Sequence, residues 1–380
     1  MDTSNKKVIV GLSGGIDSAV STLLLKEAGY DVTAVFMRNW DSALNNDTLG
    51  NPNDIFDVCP QEKDYMDAKA VADYLGVELK RIDFVNEYWD HVFKFFISEY
   101  QAGRTPNPDI LCNSEIKFKC FLEYALTLGA DYIAMGHYAQ VTHSPEISRL
   151  YKGHDTNKDQ TYFLSRLSQA QISKALFPVG HLDKSVVKEM AKEAGLPCVV
   201  GKKESTGICF IGERRFREFL KNYLPAHPGE IVDTEGHVLG EHEGVWYHTI
   251  GERHGLQLGG EGEPWYVLQK DVAHNRLFVG RGHNQELLFS NRAYITNISE
   301  VVEPLKEGER LACKLRYRSS DLTCIIESMD NHNNQKNAWI KYPETFRAAA
   351  PGQACVFYRG DEMVGGGTID VTYMDETKRN

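Results

Sequence analysis

The chain has 380 residues, of which 42% are hydrophobic and 25% are charged, and its formal net charge is −11. This length exceeds that of one ordinary core, so we expect two or three domains of a globular protein. The acidic charge argues against a protein that coats nucleic acid through bulk charge, and no apolar run is long enough to span a bilayer. The polar residues Met1–Lys7 resemble neither a secretory signal nor a transit peptide, so we expect a cytoplasmic protein.

Alternating strands and helices are predicted for the first half of the chain. Short apolar or β-branched runs predict strands, and helical runs that end at glycine predict helices. The predicted strands are Lys7–Gly11, Tyr30–Met37, Val77–Phe84 and Asp131–Met135, and the predicted helices are Asp17–Ala28, Asp64–Leu75, Lys117–Leu128 and Ser185–Ala194. This order is typical of a parallel sheet with helices on both faces. The segment Asn39–Cys59 interrupts it, and its Asn, Asp and Pro content predicts a mobile loop.

The character of the sequence changes near residue 212. Prolines and glycine-containing turns follow, with predicted strands at Gly244–His248 and Trp265–Leu268. From about residue 283 onward, strands alternate with polar turns, which predicts a small all-β barrel. The strands predicted for that barrel include Leu311–Arg316, Thr323–Ser328 and Ala354–Tyr358. We therefore expect an α/β catalytic domain at 1–212, a small central domain at 213–282 and a C-terminal β-barrel domain at 283–380.

Positive charge is clustered locally despite the acidic total. The clusters are Arg214–Arg217, Lys117 with Lys119, and Arg316–Arg318. An RNA partner would be bound at such clusters, and solvated helix faces would have the same composition.

The eight cysteines contain no C-x-x-C pair and no spacing suited to zinc, so we expect no metal site built on them. They are Cys59, Cys112, Cys120, Cys198, Cys209, Cys313, Cys324 and Cys355. Without an export signal, reduced thiols are expected, and most of them are predicted to be inert packing residues.

The segment Ser13–Ser18, with the sequence SGGIDS, follows the first predicted strand and opens the first helix. Its glycines allow close approach of a ligand, and the free N–H groups of a helix N-terminus bind anions. Asp17 is compatible with a magnesium ion that accompanies phosphates. A tight βα turn with Ser and Asp as caps is the alternative. The segment lacks the ending of a P-loop and the spacing of a dinucleotide fingerprint. It resembles the signature of the PP-loop ATP pyrophosphatases, which split ATP between the α and β phosphates and adenylate an oxygen.

Two further segments each contain a cysteine. In Gly103–Asn113 (GRTPNPDILCN) two prolines stiffen the chain, and Cys112 follows Asp109 by three residues. Lysines follow, an environment that lowers the pKa of a thiol. In Lys203–Gly212 (KESTGICFIG) the cysteine, Cys209, lies in a short apolar run. Taken singly, the first is also compatible with a surface turn and the second with a core strand.

Together these two segments resemble the tRNA-specific 2-thiouridylase (MnmA/TrmU) family. Further strings in the same order extend the resemblance over nearly the whole chain, and they are Gly136–Tyr138, Asn157–Leu164, Tyr247–Gly251, Arg316–Arg318 and Pro351–Gln353. The resemblance implies a parallel-sheet PP-loop domain (adenine nucleotide α-hydrolase-like). It also implies an ATP-dependent sulfurtransferase that makes 2-thiouridine at the wobble position of tRNA anticodons.

The resemblance also implies the site residues. ATP, with Mg²⁺, would be bound by Gly11, Leu12, Ser13, Gly14, Gly15, Ile16, Asp17, Ser18, Met37 and Gly136. The flipped-out wobble uridine would be held by Asn107, Pro108 and Asp109, and the rest of the tRNA by His137, Lys158, Asp159, Gln160, Tyr317, Arg318 and Gln353. Cys112 would be the nucleophile, Cys209 would carry a persulfide, and Asp109 would transfer a proton. A transient Cys112–Cys209 disulfide would result.

The implied partners are tRNAs with Lys, Glu and Gln acceptors and a sulfur donor, either a cysteine desulfurase or a relay protein. The chain departs from the family at Met135, where the family usually has Thr, and in the length of the 41–59 loop. The alternatives are another PP-loop adenylating ligase, which would need no paired thiols, and a non-catalytic RNA-binding protein. A cluster-dependent thiolase would need three grouped cysteines, and the sequence has none.

Overall fold

The computed structural model describes residues 6–50, 60–197, 211, 215–332 and 334–380. Its residues group into two compact units. The first contains Met1–Phe93, Pro108–Arg215 and Asp361–Val364, and the second contains Lys94–Asn107, Phe216–Gly360 and Gly365–Asn380. Cys209 and its neighbours in the 203–210 segment lie outside the described residues. No helix in the described ranges is both long enough and apolar enough to cross a membrane.

The first unit contains a five-stranded parallel sheet in the order β3-β2-β1-β4-β7. Its strands are β1 (Lys7–Gly11), β2 (Asp31–Arg38), β3 (Glu78–Asp83), β4 (Tyr132–Ala134) and β7 (Ala175–Leu176). The middle residues of β1, Val8, Ile9 and Val10, are fully buried, as expected for a central parallel strand covered on both faces. The predicted parallel α/β class is confirmed.

Several helices begin at a proline or end within two residues of a glycine. In chain order they are α1 (Ile16–Glu27), α2 (Pro60–Leu75), α3 (Val85–Tyr88), α4 (Lys94–Gln101), α5 (Pro108–Leu111), α6 (Phe121–Thr127), α7 (Gln169–Ile172), α8 (Lys184–Glu193) and α9 (Phe216–Lys221). Two π-helical segments, Trp89–Phe93 and Cys112–Cys120, join α3 to α4 and α5 to α6. Single 3₁₀ turns lie at Thr161–Leu164, Val245–Tyr247 and Glu286–Leu288.

Part of the segment predicted to be a mobile loop is anchored in the core, because Asn39, Trp40, Asn45 and Asp47 are buried. Trp40 is 1% exposed, and its ring centroid lies 4.8 Å from that of Phe93. Its Nε1 donates to Asp47 Oδ2 at 3.0 Å. The buried ring of Trp40 therefore fixes the start of this polar segment. The polar composition of the segment does not reveal that one of its side chains is buried. Residues 51–59 lie outside the described part of the chain.

A hairpin of β5 (Ala139–His143) and β6 (Ser148–Lys152) completes the first unit. The residues Asp361–Val364, which belong to this unit, continue the pairing onto β6, with Glu362 opposite Tyr151. Arg149 and Glu362 form an ion pair of 2.6 Å there.

The second unit contains a four-stranded sheet and a barrel. The sheet has the order β10-β11-β8-β9, with β8 (Gly229–Val232), β9 (Val238–His242), β10 (Trp265–Asp271) and β11 (Arg276–Arg281). The barrel strands are β12 (Phe289–Glu300), β13 (Arg310–Lys314), β14 (Leu322–His332), β15 (Gln335–Arg347), β16 (Ala354–Arg359) and β17 (Glu362–Met374). Pairing of β12 with β17 closes the barrel, and β18 (Thr377–Lys378) pairs with β17. The predicted central domain and C-terminal barrel are confirmed as fold elements.

The strand predicted at Gly244–His248 is wrong, because this segment forms a 3₁₀ turn at Val245–Tyr247. Its backbone closes on itself, with Tyr247 N donating to Gly244 O at 3.1 Å. Both Val245 and Tyr247 are buried, so the apolar composition that predicted a strand is satisfied by the core in a turn.

Candidate active site

The SGGIDS segment forms a closed loop between β1 and α1. Ser18 Oγ donates to Gly15 O at 3.0 Å, and Ser13 N donates to Ser18 Oγ at 3.2 Å. Ser18 is buried and Ser13 is exposed. Ser18 therefore fixes the loop from inside, while Ser13 and the N-terminus of α1 remain open to an anion.

Three glycines shape this loop for different reasons. Gly14 has φ of 75°, and a Cβ there would lie 2.4 Å from Asp64 O of α2. A Cβ at Gly136 would lie 2.8 Å from Ser18 N, so Gly136 packs directly on the first turn of α1. Gly15 has only Ser13 Oγ nearby, at 3.5 Å from an added Cβ. Gly14 and Gly136 thus serve protein packing, and Gly15 leaves the space that a ligand needs.

Lys184 is a site residue that the sequence did not reveal. Its Nζ lies 2.5 Å from Asp17 Oδ1, its side chain is 9% exposed, and it lies over the Tyr138 ring at 5.6 Å. Tyr138 Oη donates to the same Asp17 oxygen at 2.8 Å. Lys184 is the first residue of α8, where the helix dipole disfavours a cation. A lysine at a helix start was the available signal, because such a residue needs a negative partner nearby.

Met37 and Met135 flank Gly11 at the end of β1. A Cβ on Gly11 would lie 2.8 Å from Met135 Sδ and 3.1 Å from Met37 Cε. Both methionines are buried. Met135, which replaces the family's usual Thr, thus fills an apolar position beside a residue predicted to contact adenosine, and its thioether is a weak acceptor.

Asp109 and Cys112 lie at the start of a long helical segment. Asp109 is in the first turn of α5, and the π-helical segment begins at Cys112. Cys112 is 0% exposed. The helix thus carries the carboxylate on its first turn and the thiol directly after it, with the thiol shielded from water.

His137 is buried next to this thiol-bearing helix, and its tautomer follows from its partners. Asn113 Nδ2 donates to Phe163 O at 3.1 Å, so Asn113 Oδ1 is left to accept from His137 Nε2, also at 3.1 Å. His137 Nδ1 has no hydrogen-bond partner among the described residues. Burial, with a smaller effect of Lys117, holds the pKa of His137 well below its usual range. His137 therefore presents a neutral lone pair, not a cation.

The segment Lys158–Gln160 is tied to the residue after His137. Tyr138 N donates to Gln160 Oε1 at 3.0 Å, and Gln160 N donates to Tyr138 O at 2.9 Å. Asp159 is 5% exposed, and its Oδ1 accepts from Gly153 N and from Thr161 Oγ1 at 3.1 and 2.8 Å. Gln160 and Asp159 therefore fix the shape of the segment, and Lys158 is half-buried.

The second unit contains four predicted tRNA residues, Asn107, Tyr317, Arg318 and Gln353. Arg318 is exposed with φ of 64°, and its guanidinium lies 5.4 Å from the centroid of the half-buried Tyr317 ring. A turn closed by Ser319 N and Arg316 O at 3.1 Å presents this pair. Asn107 is half-buried, and Gln353 Nε2 donates to Thr105 O at 3.3 Å in the same unit.

No group of three or more His, Cys, Asp or Glu side chains in the described ranges is arranged to hold a metal ion. Asp17, the predicted partner of a magnesium ion, has one carboxylate oxygen occupied by Lys184 and Tyr138. A metal at this loop would therefore depend on oxygens brought by the nucleotide.

Three family models match consecutive parts of the chain. They are described as the tRNA methyl transferase HUP domain over residues 6–213, the tRNA methyl transferase PRC-barrel domain over 217–281 and the aminomethyltransferase beta-barrel domain over 285–369.

Two solved structures show low similarity to this chain. The NMN synthetase of Francisella tularensis is 17% identical with a TM-score of 0.33, covering 54% of this chain and 68% of that one. A 4-thiouridine synthetase in a complex with RNA and bound ATP is 14% identical with a TM-score of 0.33, covering 55% and 46%. Values this low say nothing about function.

Curated relatives match over almost the whole length. The tRNA-specific 2-thiouridylase MnmA of Bacillus subtilis is 49% identical over 374 residues, which is 98% of this chain and 97% of the relative. The protein of the same name from Geobacillus thermodenitrificans is 48% identical over 373 residues, or 98% and 96%. With this identity over both full lengths, the chain belongs to the tRNA-specific 2-thiouridylase MnmA family.

Proposed function

We propose that this protein is an ATP-dependent tRNA sulfurtransferase that forms 2-thiouridine at the wobble position of the anticodon. The observation that carries the proposal is identity of 48–49% over 98% of the chain with proteins named tRNA-specific 2-thiouridylase. The first unit supports it, because it holds both an anion-binding loop and a shielded thiol.

ATP binds along Gly11–Ser18, with its phosphates at the N-terminus of α1. Met37 and Gly136 line the adenosine end. Lys184, held beside Asp17, supplies a positive charge where the β and γ phosphates leave. Mg²⁺ would be held mainly by the phosphate oxygens of ATP and by Asp17, and it would neutralise phosphate charge.

The first chemical step activates the base. The C2 oxygen of uridine attacks the α phosphate, the bond between the α and β phosphates breaks, and pyrophosphate leaves. The uridine oxygen thereby becomes part of an AMP leaving group. Asn107, Pro108 and Asp109 hold the base, and Asp109 takes or returns the proton that moves when the base changes its tautomer.

The second step transfers sulfur. The terminal sulfur of a Cys209 persulfide attacks C2, and AMP leaves with the former C2 oxygen. The Cys112 thiolate then attacks the Cys209 sulfur, which leaves one sulfur on C2 as 2-thiouridine and forms a Cys112–Cys209 disulfide. A cellular dithiol reduces that disulfide, and a cysteine desulfurase or a relay protein restores the persulfide. This chemistry requires a reducing compartment, the cytoplasm.

The tRNA is held by residues outside the reacting centre. Tyr317 and Arg318 offer a ring and a guanidinium suited to stacking and phosphate contact. Lys158 contributes charge. His137 lies buried beside the thiol-bearing helix with Nδ1 as its acceptor, while Asp159 and Gln160 fix the loop that carries Lys158. The expected substrates are tRNAs with Lys, Glu and Gln acceptors.

The test is nucleoside mass spectrometry of unmodified tRNA incubated with the full protein, ATP, Mg²⁺ and a persulfide donor. We expect 2-thiouridine from the wild type and at least a ~100-fold loss in Cys112→Ser and in Cys209→Ser. Cys120→Ser, which changes a half-buried thiol of the same helical segment, is the control and should retain full activity.

Three results would overturn the proposal. Full thiolation by both Cys112→Ser and Cys209→Ser would remove the sulfur-transfer roles. AMP release without any thiolated base would indicate a different PP-loop ligase, and absence of ATP turnover with retained tRNA binding would indicate a non-catalytic RNA-binding protein.

A further inference from the structure

A turn of the barrel is bonded to the loop that precedes Asn107. Thr105 N donates to Pro351 O at 2.8 Å, and Gln353 Nε2 donates to Thr105 O at 3.3 Å. Both polar groups of one peptide residue are thus bound by residues 351–353, which lie in the same unit of the fold. Thr105 is 7% exposed, so these bonds are shielded from water.

The absence of a side chain at Gly352 allows the turn to lie directly against the backbone of residues 104 and 105. It has φ of 91°, and a Cβ would lie 2.8 Å from Thr105 N and 3.0 Å from Arg104 Cβ. The turn itself is anchored to β17, because Gly352 N donates to Ile369 O and Ile369 N donates to Gln353 O, both at 2.8 Å. Strand β17 of the barrel therefore fixes the turn at 351–353, and this turn fixes the loop at Thr105.

Arg104 ties the same loop to β17 a second time. Its Nη1 donates to Asp370 Oδ1 at 2.7 Å and its Nη2 to Ile369 O at 3.1 Å. Its Nε donates to Glu99 Oε2 of α4 at 2.8 Å. This side chain is 22% exposed and uses all its nitrogens for positioning, so it is not available as a phosphate ligand.

The segment that follows the Val245–Tyr247 turn approaches the side chain of Thr105. Thr249 Oγ1 lies 3.5 Å from Thr105 Oγ1, and Thr249 N donates to Glu252 Oε2 at 2.9 Å. The loop is thus contacted by the barrel on its backbone and by the 249–252 segment on its side chain.

We infer that residues 351–353 and Arg104 position the base-binding loop, and that Gln353 acts through Thr105. The inference rests on the proposed role of Asn107–Asp109 in holding the uridine. Thr105 is two residues before Asn107, and Pro106 stiffens the link between them. A displacement at Thr105 is therefore carried to the groups that orient the base, where a shift of about 1 Å costs roughly 100-fold in rate.

The first test compares two alanine variants of positive-φ glycines. Gly352→Ala introduces both backbone strain and the collision with Thr105. Gly360→Ala introduces similar strain at φ of 62° in the β16–β17 turn, where an added Cβ has nothing within 4 Å. We expect a ~10- to 100-fold lower kcat for tRNA thiolation in Gly352→Ala, a tRNA Kd within about 2-fold of the wild type, and wild-type behaviour in Gly360→Ala.

A milder pair separates positioning from direct RNA contact. Gln353→Met keeps the side-chain length and removes the donor to Thr105 O, and the exposed Gln335→Met is its control. We expect Gln353→Met to lower kcat about 10-fold with little change in Kd. Arg104→Lys should retain more activity than Arg104→Met, because one charged contact to Asp370 remains possible.

Hydrogen exchange of the Thr105 amide is a readout that needs no activity. Exchange should accelerate in Gly352→Ala and Gln353→Met, but not in the two controls, while exchange in β1 stays unchanged. Unchanged Thr105 exchange, or a tRNA Kd at least 10-fold weaker with an unchanged kcat, would overturn the inference. An inactive wild-type protein that shows the expected exchange would instead contradict the proposed function.

Discussion

At the scale of single residues, the pairing of Asp17 with Lys184 explains why a carboxylate sits in an anion-binding loop. Without a counter-ion, Asp17 at the start of α1 would repel the phosphates that the helix N-terminus attracts. Lys184 and Tyr138 both bind one of its oxygens, so its charge is neutralised locally. The loop was predictable from its glycines and serines, whereas Lys184 was not, because 167 residues separate it from Asp17.

Lys184→Met should weaken ATP binding by about 10- to 100-fold, because a charge-assisted contact is lost and Asp17 is left uncompensated. Titration calorimetry with ATP measures this directly, and 2-thiouridine formation should fall at least as much. Lys192→Met, in the last turn of the same helix and exposed, is the control. Equal ATP affinity in Lys184→Met and Lys192→Met would show that Lys184 is only a structural partner of Asp17.

At the scale of elements, the π-helical segment Cys112–Cys120 is the feature that sequence patterns missed most clearly. The predicted helix began at Lys117, whereas the helical chain runs from Pro108 through Thr127. Cys112, Asn113 and Ser114 at its start are all buried. Segments with π geometry are frequent at functional sites. Strands such as β1 and β2 were predictable because a single short run of apolar residues specifies each of them.

Deletion of Lys119 tests whether the π geometry serves the site. Removing one residue favours ordinary α-helical bonding and shifts Asn113 relative to His137, so their 3.1 Å bond is lost. We expect helix content by circular dichroism to be retained and thiolation to fall at least ~10-fold. Lys119→Ala removes the same exposed side chain and its ion pair with Glu115 without a shift, and should keep activity. Full activity of the deletion variant would contradict a role for the π segment.

At the scale of the whole molecule, buried histidines make stability sensitive to acid. Burial, with a smaller contribution from His248, lowers the pKa of His242 to about 4, and burial lowers that of His137. Both groups bind fewer protons when folded than when unfolded, where the pKa is about 6.5. The free energy of unfolding should therefore decrease as the pH falls from 6.5 toward 4.

Urea unfolding at pH 7, 6 and 5 measures this decrease. Each such imidazole contributes up to about 1.4 kcal/mol per pH unit once its unfolded form is protonated. His242→Gln retains a donor for Asn275 O and removes the titration, so its pH dependence should be shallower than that of the wild type. Identical slopes in the two proteins would show that His242 is accessible to protons when folded.

The barrel also limits which cysteine thiols can react with the transferred sulfur atom. Cys313, Cys324 and Cys355 are fully buried in its strands. Burial raises the pKa of the Cys355 thiol, and a hydrogen bond to Cys313 together with burial raises that of Cys324. Since only a thiolate attacks a persulfide, these thiols cannot compete for the transferred sulfur atom. Although the chain has eight cysteines, three of them are buried in the barrel and do not take part in thiol–disulfide exchange. Sulfur transfer can therefore remain selective for the remaining thiols.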